Sequence, residues 1–510
     1  MAIAYVILVL YVLSMVAITL YTKNRSKSVD DFLMAGKKGL NGWMSAFAYG
    51  TTYFSAVIFI GYAGKFGQAY QLAASWIGIF NAIIGSFLAW MVLAKRTKVM
   101  THRLNTKTMP EFFEKRYGSD KLKVFSAILI FVFLIPYSVS VYNGLSNLFE
   151  MVFGIPGWVI MIALAGITAL YLYFGGYFAT ALSDFIQGII MLIGVVLMVI
   201  FFLKSPYVEW DISSLKWFTF DSEKTGLFGD TVSLVSLILL TSFGVWALPQ
   251  TIHKYHTVRD DKAINQGMIV STIFAFIIGF GAYFVGGLSK LDGFSQELSG
   301  VKADDIIPTM LNLLKEPWLL GIIAVLILSA SMSTLSSVSL SSASVVAIDL
   351  YKGKINKKAY DNTVNKVMRI LCLTFVAISV ILAILNDIFN ISAIAYLMGL
   401  SWGTLAGCFI GPYVLGLVWK KTTLKAVWVS MITSLVATLV LIVVFGYIKG
   451  GANCSFGVAI QGGINSSPLI GVICMALSMI LTFVVSLFTK APDKKIIDKA
   501  FEDKCDESIA

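Results

Sequence analysis

Apolar runs long enough to cross about 30 Å of hydrocarbon recur along almost the whole of this 510-residue chain. In lipid every backbone polar group must find its partner inside the protein, which leaves helices and closed barrels as spanning structures. Uninterrupted runs of this length are helices. The chain is 58% hydrophobic and 13% charged, with a mean hydropathy of +0.83, outside the range of soluble domains. No polar stretch is long enough for a separate soluble domain, so a single polytopic all-α integral membrane protein is expected. Thirteen spans are read near 2–22, 42–66, 71–95, 122–149, 157–175, 180–203, 231–252, 265–289, 318–347, 366–386, 391–418, 424–448 and 466–489, followed by a tail at 490–510.

Basic residues test this count. With the N-terminus outside, loops after odd-numbered spans and the C-terminal tail are cytoplasmic. They and their helix ends hold 31 of the 39 Lys and Arg, all but Lys65, Lys204, Lys216, Lys224, Lys290, Lys302, Lys315 and Lys449. This is the positive-inside bias, and a missed span would scramble it. The net charge of +11 therefore reports topology and offers no support for nucleic-acid binding. The first span lacks a preceding basic residue and is followed by Lys23, Arg25 and Lys27, the pattern of a retained anchor. Cys372, Cys408, Cys454, Cys474 and Cys505 show no C-x-x-C spacing and suggest neither disulfide nor zinc.

Two spans depart from ordinary membrane helices. The second contains Tyr49-Gly50-Thr51-Thr52-Tyr53-Phe54-Ser55, and the seventh contains Gly244-Val245-Trp246-Ala247-Leu248-Pro249-Gln250. Gly, Pro and hydroxyl residues here suggest interrupted helices, whose free carbonyls are tolerated at membrane depth only around a cavity or a partner. The interruptions lie five spans apart, in the first helix of each half if 42–203 and 231–418 are inverted five-helix repeats. The ninth span carries Ser331, Ser333, Thr334, Ser336, Ser337 and Ser339. Such hydroxyls either bond back to their own helix or supply oxygen ligands to a hard cation without a charge to desolvate. Asp184 lies inside the sixth span, where a carboxylate must face water, a cation or a partner on a neighbouring helix. Asp349 is read as a helix-end or loop-pairing group, and His102, His253, Lys254 and His256 as solvated cytoplasmic residues.

Four segments resemble the sodium:solute symporter family. They are Thr108-Met109-Pro110-Glu111-Phe112-Phe113-Glu114-Lys115-Arg116-Tyr117, then Gly175-Gly176 with Asp184-Phe185-Ile186-Gln187. The third is Ser331 to Ser337 with Asp349-Leu350-Tyr351, and the last is Gly411-Pro412-Tyr413-Val414-Leu415-Gly416. The resemblance implies a leucine-transporter-type fold of five plus five inverted helices, with one extra span before (2–22) and two after (424–489). It implies a co-transported sodium ion held by carbonyls of Thr51, Phe54 and Ala330 and hydroxyls of Ser333 and Thr334. It also places Ser183 and Asp184 on the ion's cytoplasmic release route.

The likeness leaves the solute open. Where the proline branch has a carboxylate and the sugar branch an asparagine, this chain has Tyr53, and Ser75-Trp76 lacks the sugar branch's glutamate. Leu248-Pro249-Gln250 resembles the pantothenate, acetate and monocarboxylate branch. A small organic acid, amino acid or related zwitterion is expected. The residues beside the two breaks, Tyr53, Ser55, Trp246, Pro249 and Gln250, with Trp76, are the candidate solute contacts. The expected function is sodium-coupled symport across the cell membrane, with no obligate protein partner. Alternatives are a proton-coupled symporter, a sodium-independent uniporter, or a sugar or sialic acid symporter. A membrane enzyme is disfavoured, since no H-E-x-x-H, intramembrane Asp pair or well-placed G-x-S-x-G occurs.

Overall fold

The computed structural model describes residues 2–22, 29–34, 39–219, 224, 226–389, 394–451 and 453–501. The basic cluster Lys23, Arg25 and Lys27, and Cys505, lie outside the described residues. Among those described, eleven helices are long and apolar enough to cross a membrane. Two of them turn internally. Ile58–Leu104 turns at Gln71 (φ 56, ψ −139), whose Oε1 accepts from the Lys216 N–H at 2.7 Å. Gly157–Lys204 turns at Gly176 (φ 59, ψ −161), a conformation glycine adopts without steric cost.

Burial sorts these helices by depth in the bundle. The most apolar stretch of Pro317–Ile355 is 94% buried, against 22% for Ala2–Thr22. The serine-rich helix is therefore central and meets protein instead of lipid, which is why its hydroxyls are tolerated. Some of them bond back to their own backbone: Ser331 to Ile327 O, Ser336 to Ser333 O and Ser344 to Ser341 O, each at 2.8 Å.

Small residues let backbones meet elsewhere. Helix Asp261–Leu288 lies against the first broken helix and its successor. A Cβ on Gly286 would fall 2.0 Å from the Ala63 carbonyl oxygen, and one on Gly78 only 2.3 Å from the Gly279 carbonyl carbon. No side chain fits between them.

On the side read as cytoplasmic, a short helix Met109–Tyr117 closes the bundle. Thr108 caps it by accepting from Glu111 N, Pro110 sits in its first turn, and Gly118 ends it at φ 67. The Tyr117 hydroxyl donates to Pro412 O at 2.5 Å, and Arg116 donates to Gly416 O at 2.9 Å and Trp419 O at 3.1 Å. These last two are carbonyls at the end of a helix, which lack intrahelical donors. Thr108 Oγ1 also donates to Asp349 Oδ1 at 3.0 Å. Three of the four sequence motifs thus meet on one face, and Asp349 pairs with a loop as its position suggests.

Candidate functional site

The second span is broken, one turn later than its glycine. Helix Gly42–Tyr53 runs through Gly50, Thr51 and Thr52 and stops at Phe54, whose backbone is extended (φ −104, ψ 106). Gly50 serves packing instead: a Cβ there would lie 2.4 Å from the Phe274 ring. The Thr51 and Thr52 hydroxyls bond back to Phe47 O and Ala48 O. Helix resumes after Ser55, whose Oγ accepts from Val57 N at 3.3 Å.

The other interruption lies between helices Asp230–Gly244 and Pro249–His256, with a tight turn at Val245–Ala247 and extended Leu248. A residue before proline is pushed out of the helical region, so the break falls at Leu248 and not at Gly244. Thr251 Oγ1 donates to the carbonyl of Val245 (2.9 Å) and to that of Leu248 (2.8 Å), which also accepts from Ile252 N (3.0 Å). This break is therefore largely satisfied from within.

The first break is satisfied from outside. Ser333 Oγ on the central helix lies 3.1 Å from the carbonyl oxygens of both Thr51 and Ala330, and Thr334 Oγ1 lies 3.4 Å from Thr51 O. Thr51, Ala330, Ser333 and Thr334 are all fully buried, and Phe54 is 1% exposed. Four of the five ion candidates form one hydrogen-bonded group, and the fifth, Phe54, forms the adjoining break. The group is all neutral oxygen, the donor set that suits a hard monovalent cation. Among the described residues no three His, Cys, Asp or Glu side chains converge as a metal site.

Beside this group is a small cavity, about 10 Å³ of space for a water-sized sphere, lined by Tyr53, Phe54, Ser55, Ile58, Tyr62, Asn81, Thr241, Tyr283, Met398 and Trp402. The Tyr53 hydroxyl donates to Thr241 O at 2.8 Å, tying the two broken helices together. Asn81 Oδ1 accepts from Thr241 Oγ1 (2.8 Å) and Ser242 Oγ (3.0 Å). Asn81 begins a stretch of wide π-helical turns, Asn81–Leu88, of a kind frequent at functional sites. Two carbonyls in that stretch accept from aromatic groups: Ile84 O from Trp246 Nε1 at 3.0 Å, and Gly85 O from the Tyr49 hydroxyl.

Of the six solute candidates, Tyr53 and Ser55 line this cavity. Trp246 instead holds the Ile84 carbonyl, and the Trp76 indole donates to Trp217 O in the loop after residue 204. Pro249 lines a separate cavity with Lys107, Thr108, His253 and His256. Gln250 is 1% exposed, and neither of its amide atoms has a partner among the described residues. Sequence reasoning passed over Asn81, Thr241, Tyr283, Met398 and Trp402. An amide within the third span was the one available signal.

Asp184 and Ser183 are buried, and Asp184 Oδ2 lies 3.4 Å from the Lys254 ammonium. Here the expectation fails: Lys254 is 1% exposed and not solvated. His253 and His256 are half-buried, with His253 Nε2 and both His256 ring nitrogens shielded from solvent. The short Pro249–His256 helix turns inward against the bundle instead of leaving into the loop, which carries its basic face into the interior.

The family model for the sodium:solute symporter family matches residues 32–434. The chain belongs to this family. Membership makes it a multi-pass membrane protein that couples sodium to the movement of a small solute. The symporter is 26% identical to the osmoregulated proline transporter OpuE of Bacillus subtilis over 494 residues, 95% of this chain and 94% of that one. It is 27% identical to the sodium/proline symporter of Haemophilus influenzae over 440 residues, covering 84% and 86% of the two chains. Among solved structures, a Na+-coupled sialic acid symporter in a substrate-bound outward-open state superposes with a TM-score of 0.74 at 18% identity, over 96% of this chain and 99% of that one. A manganese transporter of Eremococcus coleocola gives 0.52 at 15% identity, over 90% and 99%. These two likenesses speak for the fold, that of leucine-transporter-type transporters.

Proposed function

We propose that this symporter moves a small zwitterion or organic acid by alternating access, with one sodium site at Thr51, Phe54, Ala330, Ser333 and Thr334. The meeting of the Thr51 carbonyl with the Ser333 and Thr334 hydroxyls carries the reading. A hydroxyl that donates to a carbonyl can rotate so that both oxygens face a cation. The solute site is the cavity between the breaks, with Tyr53, Ser55, Asn81 and Thr241 as its polar contacts and Trp402 as an apolar wall. Among the described residues no ionised side chain lines that cavity. A zwitterion carries its own counter-charge, and its carboxylate is suited to the free N–H groups of the helix resuming after Ser55. The proline transporters among the relatives make an amino acid the first solute to try.

Thirteen spans fit this reading. The eleven apolar helices are joined by the short Gly42–Tyr53 segment, which completes a span with 58–70, and the turns at Gln71 and Gly176 divide two of the long helices. Repeats at 42–203 and 231–418 put each break in the first helix of its repeat. The bias of Lys and Arg argues for the N-terminus outside and the C-terminus in the cytoplasm, in the cell membrane. Ser183 and Asp184, on the cytoplasmic side of the ion group, belong to its exit.

One cation crossing 100 mV releases about 2.3 kcal/mol, and a tenfold gradient adds about 1.4 kcal/mol. Tight coupling to one ion would then sustain a solute gradient of about five-hundredfold. Coupling requires that the ion favour the arrangement that binds solute. The 51–55 segment supplies the link, since its carbonyls face the ion and its side chains face the solute. Proteoliposomes with an inward sodium gradient should accumulate L-proline or another small zwitterion, and choline in place of sodium should abolish accumulation. Equal accumulation in choline would overturn the reading.

A further inference from the structure

A second cluster of oxygens lies next to the ion group, and a cation of the protein's own fills it. The Lys254 ammonium donates to Ser337 Oγ at 3.0 Å and lies 3.4 Å from Asp184 Oδ2. Ser337 Oγ in turn shares a hydrogen bond of 2.9 Å with Thr52 Oγ1. Ser337 is one helical turn beyond Ser333, and Thr52 follows Thr51, so this cluster repeats the ion group one step along the same two helices. The ammonium's remaining flank faces the Tyr177 ring, 5.0 Å from its centroid. Lys254 is 1% exposed and Asp184 fully buried, and Asp184 Oδ1 has no hydrogen-bond partner among the described residues.

A carboxylate and hydroxyls enclosed in protein are ligands for a hard cation. A buried carboxylate without a counter-charge is costly, so some cation must stay near Asp184. Lys254 reaches it from the inner half of the second broken helix, the element whose burial sequence reasoning missed. We propose that the Lys254 ammonium occupies a second cation position formed by Asp184 and Ser337, and so limits this symporter to one sodium ion per transport cycle. The proposal rests on the sodium site at Ser333 and Thr334 as the one open position. Removing the ammonium leaves the carboxylate, both its oxygens and the Ser337 hydroxyl free for a second ion.

The test is equilibrium binding of radioactive sodium to the purified full chain without solute. Wild type should bind one ion with a Hill coefficient of one, and Lys254→Gln should bind two. Lys254→Gln/Asp184→Asn, which removes both charges, should return to one. A wild-type count of two overturns the proposal whether or not any variant folds. So does a count of one in a monodisperse Lys254→Gln protein. Ser333→Ala separates this from the reading beneath it. If Ser333→Ala leaves wild-type sodium affinity unchanged, the first site is misassigned, while a gain of one ion in Lys254→Gln still identifies the second position.

Discussion

Ser333 and Thr51 stand 282 positions apart in the chain and 3.1 Å apart in space, hydroxyl to carbonyl oxygen. That contact joins the central helix to the end of a broken one. Ser333→Ala removes an oxygen from both the contact and the proposed ion shell. A bond of this kind to a charged partner contributes about 1.5 kcal/mol, so the sodium concentration for half-maximal uptake should rise roughly tenfold. Thr334→Ala should act in the same direction but less, because its hydroxyl is farther from Thr51 O, at 3.4 Å. Unchanged sodium dependence in both variants would refute the assignment.

Tyr53 and Trp76 should separate cleanly. Tyr53→Phe loses the bond to Thr241 O inside the cavity, worth about 1 kcal/mol, and should raise the solute KM roughly fivefold. Trp76→Phe loses a bond to the Trp217 carbonyl, away from the cavity, and should leave that KM within about twofold. Initial rates of uptake at saturating sodium measure both.

Glycine contacts give a stability test. Gly286→Ala would drive a methyl group into the Ala63 carbonyl, and overpacking of this kind costs about 1–3 kcal/mol. At Gly166 a methyl group would meet nothing within 4 Å, so alanine there should change little. Thermal unfolding in detergent compares the two.

Arg116 is buried with its guanidinium on the last carbonyls of a helix. Lysine cannot span both acceptors from one planar fork. Arg116→Lys should therefore destabilise the fold by about 1–3 kcal/mol, read as a lowered unfolding temperature. Lys115→Ala on the same short helix should be milder, since that half-buried side chain donates to the single carbonyl of Asn105.

Much of this was legible in the chain. The length of the apolar runs and the placement of Lys and Arg gave the membrane class, because both follow from the solvent alone. The break near Thr51 and the hydroxyls at Ser333 and Thr334 were visible because each is an anomaly inside its own span. The cavity wall was not. Asn81, Thr241 and Trp402 come from three different helices, and no local pattern records that these faces converge. Lys254 was misjudged for a related reason. Counting basic residues in loops describes their average side of the membrane, whereas its burial depends on a carboxylate 70 positions earlier. Gly50 and Gly244 pointed to the right helices but marked packing instead of the breaks themselves.

The glycine seam along helix Asp261–Leu288 has a mechanical consequence. With main chain pressed on main chain at Ala63 and Gly286, the outer half of the first broken helix has no lubricating layer of side chains over which to slide. It and its neighbour must swing as a single lever. Phe54 and Ser55, which join that lever to Thr51, would then convert the swing into a change at the proposed ion ligands.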